Sequence, residues 1–268
     1  MKVLRAIFLI LLGLYFFVPL LAMARFAFQS VPVVLLTPEK LLEGWSISGL
    51  LEVFGNTEFQ RATLISLQLM VLAIVLTLVL LLPLAALVEI RAPQLRTLMT
   101  AITLLPWVVP PVALVVGVAA TFRNTVPWFL ASPYSLVPFY VLWALPFSYR
   151  ALDAGLRSIG ARTLYEAARV MGASTFTIIV RVIIPNMIGA IIAASVLTAA
   201  LVLGEFAFAA LLLKETLPTF MAEFQRSEPR AGMALALALA VMLLTALIIW
   251  IGVRALRKRG MDLQAAGV

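Results

Sequence analysis

The sequence predicts an all-α integral membrane protein with six transmembrane helices, and three observations carry that prediction. The first is composition: of 268 residues, 64% are hydrophobic and 12% charged, with a mean hydropathy of +1.12. A soluble domain is nearer half apolar and a quarter charged, so much of this surface has to face lipid. The second is length. The apolar residues gather into runs at 6–28, 62–88, 97–122, 136–156, 182–210 and 232–253, and about 20 such residues cross a bilayer. Backbone groups in hydrocarbon must pair within their own segment, so each run should be helical. The third is charge. With both termini in the cytoplasm, the inner segments hold Arg91, Arg96, Arg150, Arg157, Arg162, Arg169, Arg181 and a basic tail, against the acids Glu89, Asp153, Glu166 and Asp262. Basic residues concentrate on the cytoplasmic side of membrane proteins.

The first run follows Lys2 and Arg5, and Ala22-Met23-Ala24 has the look of a signal cleavage site. Its apolar stretch exceeds the ~7–15 residues of a signal core, which predicts an uncleaved anchor. The segment 29–61 is the longest exterior one, and its Trp45 and Phe54 suit a membrane interface. Run three carries Pro106, Pro110 and Pro111, and run four carries Pro146. Proline removes a helix donor and bends the rod. Bent helices in membranes often line pathways, although each proline taken alone is better explained by packing. Run five, read as continuous, places Glu205 about 30 Å beyond Pro185 at 1.5 Å per residue, near the outer mouth.

Several function classes fall away at once. The chain has no cysteine and no histidine. That removes disulfides, thiol redox chemistry, zinc or haem sites on thiolate or imidazole, and Ser-His or Cys-His nucleophile pairs. No catalytic residue and no metal site is expected. The net charge of +8 does not suggest nucleic acid, because the basic residues lie between apolar runs rather than on one face of a soluble domain.

The chemistry concentrates in the basic loop between runs four and five. Residues 163–185 read T-L-Y-E-A-A-R-V-M-G-A-S-T-F-T-I-I-V-R-V-I-I-P. Thr163 followed by Glu166 forms a capping box, which predicts a helix start. Ala167, Ala168, Val170 and Met171 extend that helix, and Gly172 is its natural end. A second helix begins near Ser174 and runs toward Pro185. The first helix has about two turns and is marginal in water alone, so it needs a partner surface. Ala167, Ala168, Gly172 and Ala173 are small enough to let that partner approach.

This loop resembles the cytoplasmic loop of permeases from binding-protein-dependent ABC importers. That loop carries E-A-A, three residues, G, nine residues, then I-x-L-P. Here the pattern is Glu166-Ala167-Ala168, three residues, Gly172, nine residues, then Val182-Ile183-Ile184-Pro185. The two departures, Val182 and Ile184, are apolar. Shorter pieces, Leu105-Pro106 with Pro110-Pro111, Leu145-Pro146-Phe147 and Gly204-Glu205-Phe206, are similar to the spermidine/putrescine group and its relatives for iron, thiamine, sulfate and phosphonates. The resemblance covers 61–253. It leaves 1–60 as a first span with its exterior segment, and 254–268 as a basic cytoplasmic tail.

The resemblance implies a type I importer permease fold in a bacterial inner membrane. Glu166, Ala167, Ala168, Val170, Met171, Gly172, Ala173 and Ser174 would form a coupling helix seated in a groove of an ATPase. The implied partners are two ATP-binding subunits, a second permease that is a related chain, a periplasmic substrate-binding protein and membrane lipid. Pro106, Pro110, Pro111, Pro146 and Glu205 would lie along the translocation pathway, and the cargo would be a polyamine or related cation. The chain itself needs no cofactor, because ATP and magnesium belong to the separate subunit. Consistent with that division, a phosphate-binding loop needs G-x-x-x-x-G-K-[S/T], and Lys2, Lys40, Lys214 and Lys258 all lack that context. The rival reading is a secondary transporter or channel, which places ionisable groups inside the membrane. Glu205 is the main candidate here, while Gln68 and Asn186 are uncharged.

Overall fold

The computed structural model describes residues 2–28, 37, 44–227, 245, 247, 250, 251 and 254. The sixth predicted run and the basic tail lie almost wholly outside the described residues. In chain order the elements are α1 (Lys2–Ala27), α2 (Ser48–Gly55), α3 (Thr57–Arg91), α4 (Arg96–Val108), α5 (Pro111–Thr125), α6 (Pro127–Ala131) and α7 (Val137–Ser158). They continue with α8 (Ala161–Val170), α9 (Thr175–Ile178), α10 (Ile184–Asn186), α11 (Ile188–Leu203), α12 (Ala207–Leu211) and α13 (Leu217–Ser227). The architecture is helical, as the sequence predicts. The chain divides into two units, Met1–Thr63 with Leu217–Thr245, and Leu64–Thr216 with Ala246–Val268.

In the first unit, α1 exposes its apolar side chains on every side, from Ile7 through Tyr15 and Phe17 to Leu21. A helix apolar all round and uncovered by its own chain is built for lipid or a neighbouring subunit. The Arg25 guanidinium stacks 4.2 Å above the Trp45 ring. Asn56 starts α3: its Oδ1 accepts from the N–H groups of Glu58 at 2.8 Å and Phe59 at 3.0 Å. These are the free donors of a helix N-terminus. Val53, Phe59, Ala62, Leu217 and Phe220 form the small core of this unit.

The second unit is organised on α7 and α11. Tyr149, Leu152 and Leu156 of α7 meet Ala190, Ala193 and Ala194 of α11, with Leu81, Ala85 and Ala86 of α3 completing the core. Small residues let these helices approach closely, the usual basis of packing in lipid. Ser148 and Thr198 share a buried hydrogen bond of 2.9 Å between them.

Two predicted spans are not single rods. Run three divides into α4 and α5, 85° apart. The cause is local: Val109 is extended, at φ −87° and ψ 122°, as a residue before proline prefers, and Pro110 and Pro111 supply no donor to continue the ladder. Run five is also broken. Thr175–Asn186 and Ile188–Leu203 lie 74° apart, after a wide turn at Ile179–Ile183. The helix then ends at Leu203, with Gly204 as its cap. The expectation of Glu205 about 30 Å along one continuous helix is therefore corrected.

Candidate functional site

The Glu166 loop is built between two glycines in left-handed conformation. Gly160, at φ +62°, turns the chain from α7 into α8, and Gly172, at φ +84°, turns it out again. The predicted capping box does not form. Because Gly160 makes the turn, α8 begins at Ala161 with Gly160 as its N-cap, and Thr163 already lies inside the first turn. The Glu166 carboxylate instead accepts from Arg162 Nε at 2.9 Å, an i,i+4 pair on the exposed side.

The end of α8 follows the sequence reading. Gly172 N–H donates to the Arg169 carbonyl at 2.9 Å, and Ala173 N–H to the Ala168 carbonyl at 3.1 Å. These two bonds make a Schellman turn with glycine at its left-handed position. Arg169 Nη1 also donates to the Ala173 carbonyl at 3.0 Å. Ser174 then caps α9, its hydroxyl accepting from Thr177 N–H at 3.2 Å.

The E-A-A motif is split between two faces. Ala161 and Ala168 are buried against the α7–α11 core, with Tyr165 half-buried beside them. Thr163, Glu166, Ala167 and Val170, spaced i, i+3, i+4 and i+7, are exposed, which is one side of a helix. Beyond them Val170 is 90% exposed, Met171 81% and Phe176 77%. The tip is braced from below, where the Tyr165 hydroxyl pairs with Thr175 Oγ1 at 3.0 Å. Arg91 Nη2 reaches the same hydroxyl at 3.4 Å. Hydrogen bonds from Arg91 and Thr175 hold the Tyr165 phenol below its ordinary pKa.

Nearby lies a charge cluster that sequence reasoning treated only as topology. Asp153 accepts from Arg96 Nε at 3.0 Å and pairs with Arg157 at 3.1 Å, while Arg96 also pairs with Glu89. The cluster joins the end of α3, the start of α4 and the end of α7. A signal was present, since Asp153 and Arg157 sit i,i+4 on one helix.

The other candidate residues fall into two places. Pro106 is half-buried in α4, and Pro110 and Pro111 form the break, Pro110 exposed and Pro111 half-buried. Pro146 is buried in α7. Trp107 connects these two proline-bearing helices: its ring stacks on Trp143 at 4.3 Å, and its Nε1 donates to the Trp143 carbonyl at 2.9 Å. The sequence reading missed this pair, although tryptophan at mid-run rather than at an interface was the clue. Glu205 sits elsewhere, at the junction of α11 and α12. It is buried, and Oε1 accepts from the Phe208 N–H at 2.8 Å.

With this geometry in place, the chain can be set beside known proteins. Residues 81–259 match the family described as "Binding-protein-dependent transport system inner membrane component". Over 80 residues the chain is 35% identical to the "Methionine import system permease protein MetP" of Bacillus subtilis (strain 168), covering 30% of this chain and 36% of that protein. The chain thus spans about a third of that relative's length. In fold it is similar to a chain from the crystal structure of a bacterial alginate ABC transporter in complex with alginate pentasaccharide-bound periplasmic protein. The TM-score is 0.67 at 18% identity, over 96% of this chain and 94% of that one. At that identity the likeness is one of fold.

Proposed function

The chain belongs to the binding-protein-dependent transport system inner membrane components, and from that premise we propose that it forms half of a translocation pathway, driven by a separate ATPase docked on α8. The observation that carries the proposal is the outward face of α8. Its inner face is fixed to the core by Ala161 and Ala168, while Val170 and Met171 stand almost fully exposed beside it. A short helix held so firmly and presenting two large apolar side chains suits a groove on a partner.

In this reading two ATP-binding subunits hold ATP and magnesium, a second permease of related sequence completes the pathway, and a periplasmic binding protein delivers a small solute. Closure of the ATPases pushes on α8, and the Gly160 and Gly172 turns pass that displacement into α7 and α11. Pro106, Pro110, Pro111, Pro146 and Glu205 belong to the helices around the pathway. The polyamine expectation gains nothing from the relatives, whose names carry methionine and alginate, so the proposal stops at a small solute.

The absence of cysteine makes the test clean. Met171→Cys, carrying a photoactivated cross-linker, should capture the co-expressed ATPase from the cytoplasmic side. Labelling of Ser174→Cys only from the outer face of intact cells would reject the orientation and the docking together.

A further inference from the structure

The arginines around the α8 loop fall into two sets. Arg96 and Arg157 pair with Glu89 and Asp153, and Arg162 pairs with Glu166. Arg91, at the end of α3, and Arg169, in the last turn of α8, pair with no carboxylate among the described residues. Both are exposed, and the acids nearest to them in the chain, Glu89 and Glu166, are already engaged. The two converge on one hydroxyl. Arg91 Nη2 donates to the Tyr165 oxygen at 3.4 Å, with Thr175 Oγ1 at 3.0 Å from the same atom. Arg169 follows Tyr165 by one turn on the same flank of α8, its Nη1 held on the Ala173 carbonyl at 3.0 Å. The hydrogen bonds to Arg91 and Thr175 lower the Tyr165 pKa, and the charges of Arg91 and Arg169 act in the same sense. Two guanidiniums from distant parts of the chain thus add their fields at one place on the surface.

The surface leading up to this place identifies its occupant. The apolar run of α3 stops at Val88 and the helix itself at Arg91, one turn later, where hydrocarbon gives way to headgroups. Leu80, Leu84, Leu87 and Arg91, spaced i, i+4, i+7 and i+11, share one stripe of α3, and all four are exposed. Beyond Thr175, Phe176 and Val180 are exposed as well. A site for a soluble anion has no reason to continue into a strip of leucines. A phospholipid has this order of groups, an acyl chain and then a phosphate. Guanidinium binds phosphate through two parallel N–H donors, and basic pockets beside membrane helices on the cytoplasmic side hold anionic headgroups.

We propose that Arg91, Arg169 and the Tyr165 hydroxyl bind the phosphate of an anionic phospholipid of the inner leaflet, with an acyl chain along the stripe of Leu80, Leu84 and Leu87. The inference rests on the reading of α8 as the ATPase face, because that reading puts this end of α3 on the cytoplasmic side. The bound phosphate joins the end of α3 to the flank of α8, beside the face of Glu166 and Val170 and not on it. The lipid is then a brace for the docking helix.

The test uses the whole transporter with its second permease and ATPase, purified with phosphatidylglycerol and moved into nanodiscs of phosphatidylcholine. Retained phosphatidylglycerol, counted by mass spectrometry, should fall roughly fivefold for each of Arg91→Gln and Arg169→Gln, the scale of one basic residue at an anionic surface. Both variants should unfold at the wild-type temperature in phosphatidylcholine. Added phosphatidylglycerol should raise the unfolding temperature of the wild type and leave that of the double variant unchanged. Arg150→Gln, which removes an exposed arginine of α7 outside the site, should retain lipid as the wild type does. An equal loss in Arg150→Gln would reduce the effect to general surface charge and overturn the inference. So would stabilisation by inorganic phosphate equal to that by phosphatidylglycerol, which would assign the arginines to a soluble anion. Loss of ATPase co-purification to the same extent with and without phosphatidylglycerol would assign them to the ATPase instead. Unchanged retention in both arginine variants would remove the site itself, whereas labelling of Ser174→Cys from the outer face alone would reject the α8 reading. The two results are independent, because nanodiscs are open on both sides.

Discussion

A methyl group placed on Gly155 would fall 2.2 Å from the Cβ of Ala190. Carbon atoms that are not bonded to each other do not tolerate that distance, so α7 and α11 approach as closely as they do because position 155 has no side chain. Gly155→Ala has to push the helices apart and disturb Leu156, Ala193 and Ala194 nearby. We expect a loss of about 1–3 kcal/mol, the usual scale of overpacking, seen as a lower unfolding temperature in detergent. Ala190→Gly in the same chain should restore part of it, since the clash is between those two positions.

The second expectation concerns Asp153. Its carboxylate is nearly enclosed and accepts from Arg96 at 3.0 Å and Arg157 at 3.1 Å. Asp153→Ala leaves Arg96 with Glu89 alone, and should cost about 1.5–3 kcal/mol, as charged hydrogen bonds do. Arg96→Gln should cost at least as much, because it takes one of Asp153's two partners and also leaves the nearly buried Glu89 without its own. The double variant should lose less than the sum of the two singles, because both remove the same interaction. A double-mutant cycle on thermal unfolding checks this, and strict additivity would show that the contact contributes nothing.

At Gly172 the space for a Cβ is open, with no atom within 4 Å. The cost of a side chain is therefore conformational and should follow tolerance of the left-handed region rather than size. Gly172→Asn should be mild. Gly172→Ala should cost about 1–2 kcal/mol locally, and Gly172→Val more, enough to shift the α8 tip. Transport in reconstituted vesicles should fall in the order Asn, Ala, Val. A loss tracking side-chain volume instead would mean that a partner packs directly against this position.

These sites differ in how far the sequence revealed them, and the reasons are physical. Hydrophobic run length is a one-dimensional property, so the long helix α3 and the helical class were legible. The stop of α8 at Gly172 and the start of α9 at Ser174 were also legible, because each depends on the chemistry of one residue. The start of α8 was misplaced for an instructive reason. Thr163 and Glu166 satisfy the capping pattern, but Gly160 had already turned the chain, and Arg162 took the Glu166 carboxylate. The break in run three was signalled by Pro110 and Pro111 themselves, whereas that in run five comes with a wide turn at Ile179–Ile183, which run length cannot express. The Trp107–Trp143 stack, the Gly155–Ala190 contact and the Asp153 cluster join residues tens of positions apart. The left-handed backbone of Leu213, at φ +54°, was invisible for the opposite reason: nothing in a leucine announces it.

The last expectation concerns the coupling role proposed for Glu166. Its carboxylate is exposed and, among the described residues, pairs with Arg162 alone, at 2.9 Å. Exposed pairs of this kind contribute about 0–1 kcal/mol. Glu166→Gln and Glu166→Lys should therefore leave membrane insertion intact and thermal stability within about 1 kcal/mol of wild type. If α8 docks on an ATPase, the same substitutions act on the partner's side of the contact. A carboxylate set against a guanidinium in a closed groove gains a strong charge-assisted bond, and lysine there would set like charge against like. Receptor-stimulated hydrolysis should then fall moderately for Gln and almost completely for Lys, with co-purification of the ATPase weakening in the same order. Measured side by side with unfolding temperature, this separates two roles that one activity assay confuses. Loss of stability in parallel with coupling would make Glu166 a structural residue of α8. Wild-type hydrolysis in Glu166→Lys would remove the carboxylate from the docking face altogether, leaving Val170 and Met171 to hold the partner by apolar contact alone.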